Sequence, residues 1–145
     1  MITKLTTLTA TQRDRLMTIW LQGNLEAHPF VAASYWQDMA PLVAQQLSAA
    51  TLYVATADAQ IVGFAGLTSH YIAGIFVAHD YRSRGIGHAL LTQLQTDYST
   101  LTLSVYPQNQ GAVSFYQHHG FTAGTSAIDP ETGVRDQEML WQRKR

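Results

Sequence analysis

The chain has 145 residues, a formal net charge of −1 and no cysteine. This length suits a single domain, residues 1–145, built around one hydrophobic core. The near-neutral charge gives no basic footprint for nucleic acid or an anionic membrane, and the lack of cysteine excludes disulfides, thiolate metal sites and a cysteine nucleophile.

Hydropathy also argues against a membrane protein. No stretch is apolar for long enough to span a bilayer, and the N-terminus, with Lys4 and several threonines, lacks a signal-peptide core. We therefore expect a cytoplasmic protein with no membrane partner.

The first half of the chain predicts a strand, two helices and three more strands. Thr9 offers an N-cap with Gln12 three residues later, and Pro29 marks the end of the helix that follows. The predicted ranges are a strand at 2–8, a helix opening at Thr9 and reaching as far as about Leu25, a helix at about 33–47, and strands at 51–56, 61–68 and 71–77.

The second half predicts a helix, a strand, a helix and a closing strand pair. A composition-based turn at 129–133 separates the last two strands. The predicted ranges are a helix from Ile86 to about Asp97, a strand at 101–105, a helix from Asn109 or Gln110, and strands at 121–128 and 134–141. The element order is therefore βααβββαβαββ.

A loop rich in arginine and glycine joins the strand ending at Val77 to the helix opening at Ile86. Gly85 and Gly87 allow close approach of backbone to a ligand, and a helix N-terminus favours anions. Arg82 and Arg84 add bidentate phosphate donors, and no acidic residue between Tyr81 and Thr96 offsets them. The pattern predicts a phosphate site, with an ordinary strand-to-helix connection as the alternative.

Two familiar phosphate loops fit less well. A mononucleotide P-loop needs a Gly-Lys pair, which the chain lacks. A dinucleotide fingerprint needs three glycines after an early strand, whereas this loop has two and lies in mid-chain.

The spacing Arg82-x-x-Gly85-x-Gly87 after a strand resembles the acetyl-CoA pyrophosphate loop of the GNAT (GCN5-related N-acetyltransferase) superfamily. The His-x-Phe at 28–30 is similar to that of small bacterial members of the YjaB type. The next strand and helix match the superfamily at Val105, Asn109, Ala112, Phe115, Tyr116, Gly120 and Phe121.

This resemblance implies a fold and an activity. The fold is α/β, or α+β in some schemes, with a twisted, mixed, mostly antiparallel sheet of about seven strands that splays between the fourth and fifth. The activity is direct transfer of an acetyl group from acetyl-CoA to a primary amine of a small molecule or a protein. The alternative is a non-catalytic CoA-binding regulatory module.

The resemblance also implies where acetyl-CoA binds. The phosphate loop would take the pyrophosphate, and the backbone of the preceding strand would pair with the extended pantetheine arm. Ser83 stands where the family usually has a glycine but keeps its N–H. The implied cofactor-binding residues are Ile75, Phe76, Val77, Arg82, Ser83, Arg84, Gly85, Ile86, Gly87, His88, Asn109 and Tyr116. Asn109 could equally be a helix N-cap.

Tyr116 is the predicted general acid. A phenol with a pKa of about 10 is protonated at neutral pH and can donate to the departing thiolate. The alternative is that Tyr116 only packs beside Phe115. The resemblance favours the catalytic role.

The base and the acceptor pocket are less defined by the sequence. The strand after His70 has no carboxylate, so His70 is the predicted base, with Tyr71 as a substitute. Glu26 and His28, between the first two helices, are further candidates for the base. Together with Tyr71 they are also the predicted residues of the acceptor pocket. His118 and His119 point about 100 degrees apart on a helix, so we predict no metal. Family analogy predicts a homodimer through the last strands.

Overall fold

A seven-stranded sheet flanked by helices organises the protein, whose computed structural model describes residues 1–144. The helices are α1 (Ala10–Ala27), α2 (Ala33–Leu47), α3 (Ile86–Asp97) and α4 (Gln110–His118). The strands are β1 (Ile2–Lys4), β2 (Thr51–Ala57), β3 (Gln60–Thr68), β4 (Tyr71–Val77), β5 (Thr100–Val105), β6 (Thr122–Ile128) and β7 (Arg135–Gln142). The predicted order of elements is confirmed.

The strand order in the sheet is β1-β2-β3-β4-β5-β7-β6. β4 and β5 are parallel, and all other neighbouring strands are antiparallel. The predicted mixed, mostly antiparallel sheet is therefore confirmed.

Side chains that alternate along the strands contribute to two hydrophobic cores, one on each face of the sheet. Leu52 and Val54 of β2 face the core shared with α1 and α2, whereas Tyr53 and Ala55 face the core shared with α3 and α4. This alternation follows from the two-residue period of a strand. Two helical layers therefore sandwich the central strands.

β4 and β5 part soon after they begin. Their pairing is limited to Tyr71 with Thr102 and Ile72 with Leu103. Ala73 is the extra residue of a bulge, because Ile72 opposes Leu67 and Gly74 opposes Gly66 on β3. The predicted splay is confirmed, and it opens a gap on the side of β4 that faces β5.

The first strand is shorter than predicted. β1 ends at Lys4, and Leu5 and Leu8 pack instead against the core of α1 and α2. The capping box of Thr9 and Gln12 then starts α1 as predicted. Within residues 1–144, none of the helices has the length and apolar character needed to cross a membrane.

Candidate functional site

The loop before α3 exposes backbone donors. Gly85 is the N-cap of α3 at φ +80° and supplies no side-chain cap, so the first N–H groups of the helix lack that partner. A Cβ on Gly85 would meet no heavy atom within 4 Å. Ser83 has φ +61°, a left-handed conformation that glycine adopts more easily. The loop thus has room and donors for an anion.

The two arginines of the loop have different surroundings. Arg82 donates through Nε to the Val77 carbonyl at 3.1 Å and pairs with the Glu26 carboxylate at 2.5 Å. The hydrogen bond from Arg82 lowers the pKa of Glu26. Arg84 is exposed and lies over the Tyr81 ring, 5.0 Å from its centroid. Glu26, expected on the acceptor side, therefore contacts the phosphate loop.

A groove of about 300 Å³ runs from this loop to α4. The ring of Phe76 lies outside it and packs against Phe64, with centroids 5.3 Å apart. The groove is lined by Ile75, Val77, Arg82, Gly87, Asn109, Gly111, Ala112, Phe115 and Tyr116. Six of the predicted cofactor-binding residues therefore meet here; the loop from Ser83 to Ile86 and His88 flank the groove without lining it.

A second cavity, of about 410 Å³, opens where β4 and β5 part. It shares Ile75, Asn109, Ala112 and Tyr116 with the groove, so the two spaces join beside Tyr116. We call it the acceptor cleft. Its other lining residues are Trp20, Asn24, His28, Tyr35, Trp36, Tyr71, Ala73, Gly74, Phe76, Ser104, Val105, Tyr106, Asp129 and Asp136.

Two carboxylates of the acceptor cleft were not among the residues predicted from the sequence. Asp129 and Asp136 belong to the β6–β7 hairpin. The composition of residues 129–133 predicted only a turn there. Beside them, Glu131 accepts a 2.7 Å hydrogen bond from Tyr35 of α2. The cluster of three acidic residues in that hairpin was the available sequence signal.

Tyr116 is buried, with 7% of its surface exposed. Its ring packs against Phe115 and Phe121 at centroid distances of 5.2 and 5.4 Å. Burial raises the pKa of the phenol far above its usual 10, so the hydroxyl is protonated at neutral pH. A protonated phenol therefore stands where groove and cleft meet.

His28 lines the acceptor cleft and is hydrogen-bonded on both sides. Its Nδ1 lies 3.1 Å from Asn24 Oδ1, and its Nε2 lies 3.2 Å from Asn109 Nδ2. Burial lowers the pKa of His28 to about 4, so the ring is neutral at pH 7. Asn109 also accepts a 3.2 Å bond from the Ala112 N–H and so caps α4.

The remaining predicted residues lie apart or at the edges. His70 is exposed in the β3–β4 turn and is not part of the lining of the groove or the acceptor cleft, whereas its neighbour Tyr71 lines the cleft. His88 Nδ1 lies 2.7 Å from His119 Nε2 of the α4 end. Across residues 1–144, no cluster of three or more potential ligands could hold a metal ion.

Comparison with known proteins gives the family. The model of the acetyltransferase (GNAT) domain matches residues 23–143. The peptidyl-lysine N-acetyltransferase YiaC of Escherichia coli K12 is 36% identical over 128 residues, which are 87% of this chain and 88% of YiaC.

YjaB proteins are similar in both sequence and structure. The peptidyl-lysine N-acetyltransferase YjaB of Salmonella typhimurium LT2 is 35% identical over 118 residues, covering 80% of this chain and 81% of YjaB. The solution structure of apo YjaB from Escherichia coli superposes with a TM-score of 0.83 at 26% identity, covering 97% of this chain and 95% of that one.

These relatives support the predicted acetyltransferase activity and give no support to the alternative of a non-catalytic CoA-binding module. The chain therefore belongs to the GNAT family of acetyltransferases and is an acetyl-CoA-dependent N-acetyltransferase.

Proposed function

We propose that this enzyme acetylates the ε-amino group of lysine side chains in proteins. The observation that carries the proposal is an aromatic cleft containing Asp129 and Asp136, joined at Tyr116 to the groove beside the phosphate loop. Carboxylates attract an ammonium group, and aromatic walls accept the aliphatic stem of lysine. YiaC and YjaB, both named peptidyl-lysine N-acetyltransferases, agree with this substrate.

Acetyl-CoA would lie along the groove. The exposed N–H groups at the start of α3 and the cation of Arg84 fit a pyrophosphate, and Gly85 leaves space for it. The β5-facing edge of β4, from about Ile75 to Val77, has no strand partner and offers backbone groups for an extended amide chain, except the Val77 carbonyl, which accepts from Arg82. Acetyl-CoA supplies the activated acetyl thioester.

Tyr116 would act as the general acid. As the amine nitrogen forms its bond to the acetyl carbon and the carbon–sulfur bond breaks, the Tyr116 hydroxyl donates its proton to the departing sulfur. Solvent then reprotonates the phenolate. The raised pKa of Tyr116 keeps this proton in place across the neutral range.

The ammonium must lose a proton before it attacks. We propose that a carboxylate of the acceptor cleft, Asp129 or Asp136, takes this proton directly or through water, because both line the space that would hold the amine. His70 as base stays a prediction, with its imidazole outside the lining of the cleft. His28 would not serve as the base, because both of its ring nitrogens are already hydrogen-bonded.

The test is acetylation of a matched set of acceptors. Peptides with a free lysine and a blocked N-terminus are incubated with acetyl-CoA, and released thiol and peptide mass are measured together. The same peptides with arginine in place of lysine are the control, and small diamines and aminoglycosides are the competing class. Turnover of the small amines with none of the lysine peptides would contradict the proposal.

Three broader predictions remain. The cytoplasmic location and the assignment of residues 1–145 to one domain stay predictions. A homodimer through the last strands also stays a prediction; β6 is an edge strand with exposed residues, and light scattering of the purified enzyme measures its mass.

A further inference from the structure

A chain of hydrogen bonds joins the end of α1 to the start of α4. Asn24 Nδ2 donates to the Trp20 carbonyl at 3.0 Å, and Asn24 Oδ1 lies 3.1 Å from His28 Nδ1. His28 Nε2 lies 3.2 Å from Asn109 Nδ2, and Asn109 Oδ1 accepts from the Ala112 N–H at 3.2 Å. The chain therefore ends on the first turn of the helix that carries Tyr116.

Each end of this chain fixes its direction. The Trp20 carbonyl can only accept, so the amide oxygen of Asn24 faces His28, and Nδ1 must carry the proton. The Ala112 N–H can only donate, so the amide nitrogen of Asn109 faces His28, and Nε2 must present a lone pair. The two ends specify the same neutral tautomer of His28 independently.

The surroundings favour that neutral ring. Asn24 is 4% exposed, and an amide so deeply buried is costly unless its hydrogen bonds are made. The rings of Phe30, Trp36 and Tyr106 lie 5.0 to 5.6 Å from the His28 ring.

Few ionisable groups face His28. In the cleft they are Asp129 and Asp136 of the β6–β7 hairpin, Tyr35 of α2, and Tyr106 and Tyr71 at the strands. On α1, the Glu26 carboxylate is taken up by Arg82 and His79.

We propose that Asn24 and His28 are positioning residues for Asn109. They hold the Asn109 carboxamide so that Oδ1 caps α4. The second amide hydrogen of Asn109 is then left for a carbonyl group of bound acetyl-CoA where groove and cleft join. A flipped carboxamide would set donor against donor at Ala112 and oxygen against lone pair at His28. The inference rests on the proposed function, because that carbonyl belongs to the bound substrate.

The first experiment reads the tautomer without any substrate. Long-range proton–nitrogen correlation spectra of ¹⁵N-labelled enzyme at pH 7 should show a protonated Nδ1 and an unprotonated Nε2 for His28. A protonated Nε2, alone or with Nδ1, would overturn the inference. This result does not depend on which amine is acetylated, so it separates failure of the network from failure of the proposed function.

The second experiment uses a conservative and a non-conservative replacement. His28→Leu removes the acceptor for Asn109 and should raise the KM for acetyl-CoA by about tenfold, the effect of one lost hydrogen bond. His28→Gln, whose amide oxygen can accept from Asn109, should recover most of that loss. Equal losses in both variants, with circular dichroism showing intact folds, would overturn the positioning role.

The third experiment adds a charge at the buried end. In Asn24→Asp the carboxylate favours a cationic His28, whose Nε2–H then opposes the Asn109 donor. We expect acetyl-CoA binding to weaken as the pH falls from 7.5 to about 5.5 in this variant. The double variant Asn24→Asp with His28→Gln should not show this weakening of acetyl-CoA binding at low pH. An identical pH profile for the single and double variants would overturn the inference.

Discussion

Tyr116 combines two properties that a general acid needs. Its position, at the junction of groove and cleft, comes from α4, and its hydroxyl carries a proton at neutral pH, as an ordinary phenol does, with burial raising the pKa further. The alternative interpretation was that Tyr116 only packs beside Phe115. That packing buries the hydroxyl, and burial disfavours the phenolate, so it also keeps the proton on oxygen. Packing and catalysis are compatible at this side chain.

Tyr116→Phe should separate chemistry from binding. We expect turnover to fall by about 10- to 100-fold because a general acid is lost, while acetyl-CoA binding measured by calorimetry stays nearly unchanged. Tyr98→Phe is the matched control, since Tyr98 lies outside the groove and the acceptor cleft. Unaltered turnover in Tyr116→Phe would remove this residue from the acid role.

His28 should make the protein sensitive to acid. Its pKa is about 4 in the folded protein against 6.5 in the unfolded chain, so below 6.5 the unfolded chain binds the proton first. Stability is therefore lost as the pH falls from 6.5 toward 4 and is unaffected above 6.5. The loss is about 1–3 kcal/mol after allowance for partial exposure.

Urea denaturation at pH 7 and pH 4.5 measures this loss. Replacing the imidazole in His28→Gln should reduce the difference in unfolding free energy between the two pH values by that amount. Comparing each protein with itself cancels the cost of the replacement. The same acid-induced loss in both proteins would show that His28 is not the group responsible.

At the scale of elements, the phosphate loop is tied to α1. Arg82 uses Nε on the Val77 carbonyl and a terminal nitrogen on Glu26, so its guanidinium connects β4, the loop and the helix. The Glu26 carboxylate also places a negative charge at the proposed anion site. Glu26 and Arg82 therefore have opposite expected effects on acetyl-CoA binding.

Replacing each partner tests that difference. Arg82→Ala should weaken acetyl-CoA binding by about tenfold, and Glu26→Gln should strengthen it by about two- to fivefold because a repelling charge is removed. Asp38→Asn, on the exposed face of α2, is the control for net charge. Binding that weakens in Glu26→Gln as in Arg82→Ala would mean that Arg82 needs Glu26 to hold the loop.

Local patterns predicted most elements well. The capping box of Thr9 and Gln12 starts α1, and the glycine loop leads into α3, because both signals act within a few residues. β1 was predicted too long because Leu5 and Leu8 look like strand residues in sequence. Their burial against α1 and α2 depends on contacts that no local window contains.

At the scale of the whole molecule, the acceptor cleft is assembled from distant segments. α1 and α2 supply its aromatic wall, β4 its floor, and the β6–β7 hairpin its two carboxylates. The hairpin reaches this place because β7 inserts between β5 and β6 in the sheet. The charge of the acceptor cleft is thus a property of strand order.

Neutralising the acceptor cleft should impair the amine substrate selectively. Asp129→Asn with Asp136→Asn should lower kcat/KM for a lysine peptide by more than about tenfold, while the KM for acetyl-CoA stays within about twofold. Asp14→Asn with Asp38→Asn gives the same change in net charge on exposed helical positions. Equal effects of the two double variants would argue for net charge and against a specific acceptor site.

The sequence by itself determined the order of elements, and it predicted the phosphate loop and Tyr116 as parts of the site. These rest on short-range signals, in which glycines, arginines and helix periodicity lie within one strand–loop–helix unit. The tertiary structure decided the partners of those residues. Glu26 meets Arg82 across 56 positions and His28 meets Asn109 across 81, and Asp129 and Asp136 reach the acceptor cleft through the strand order. Such contacts depend on how the sheet brings remote segments together, which no local pattern records.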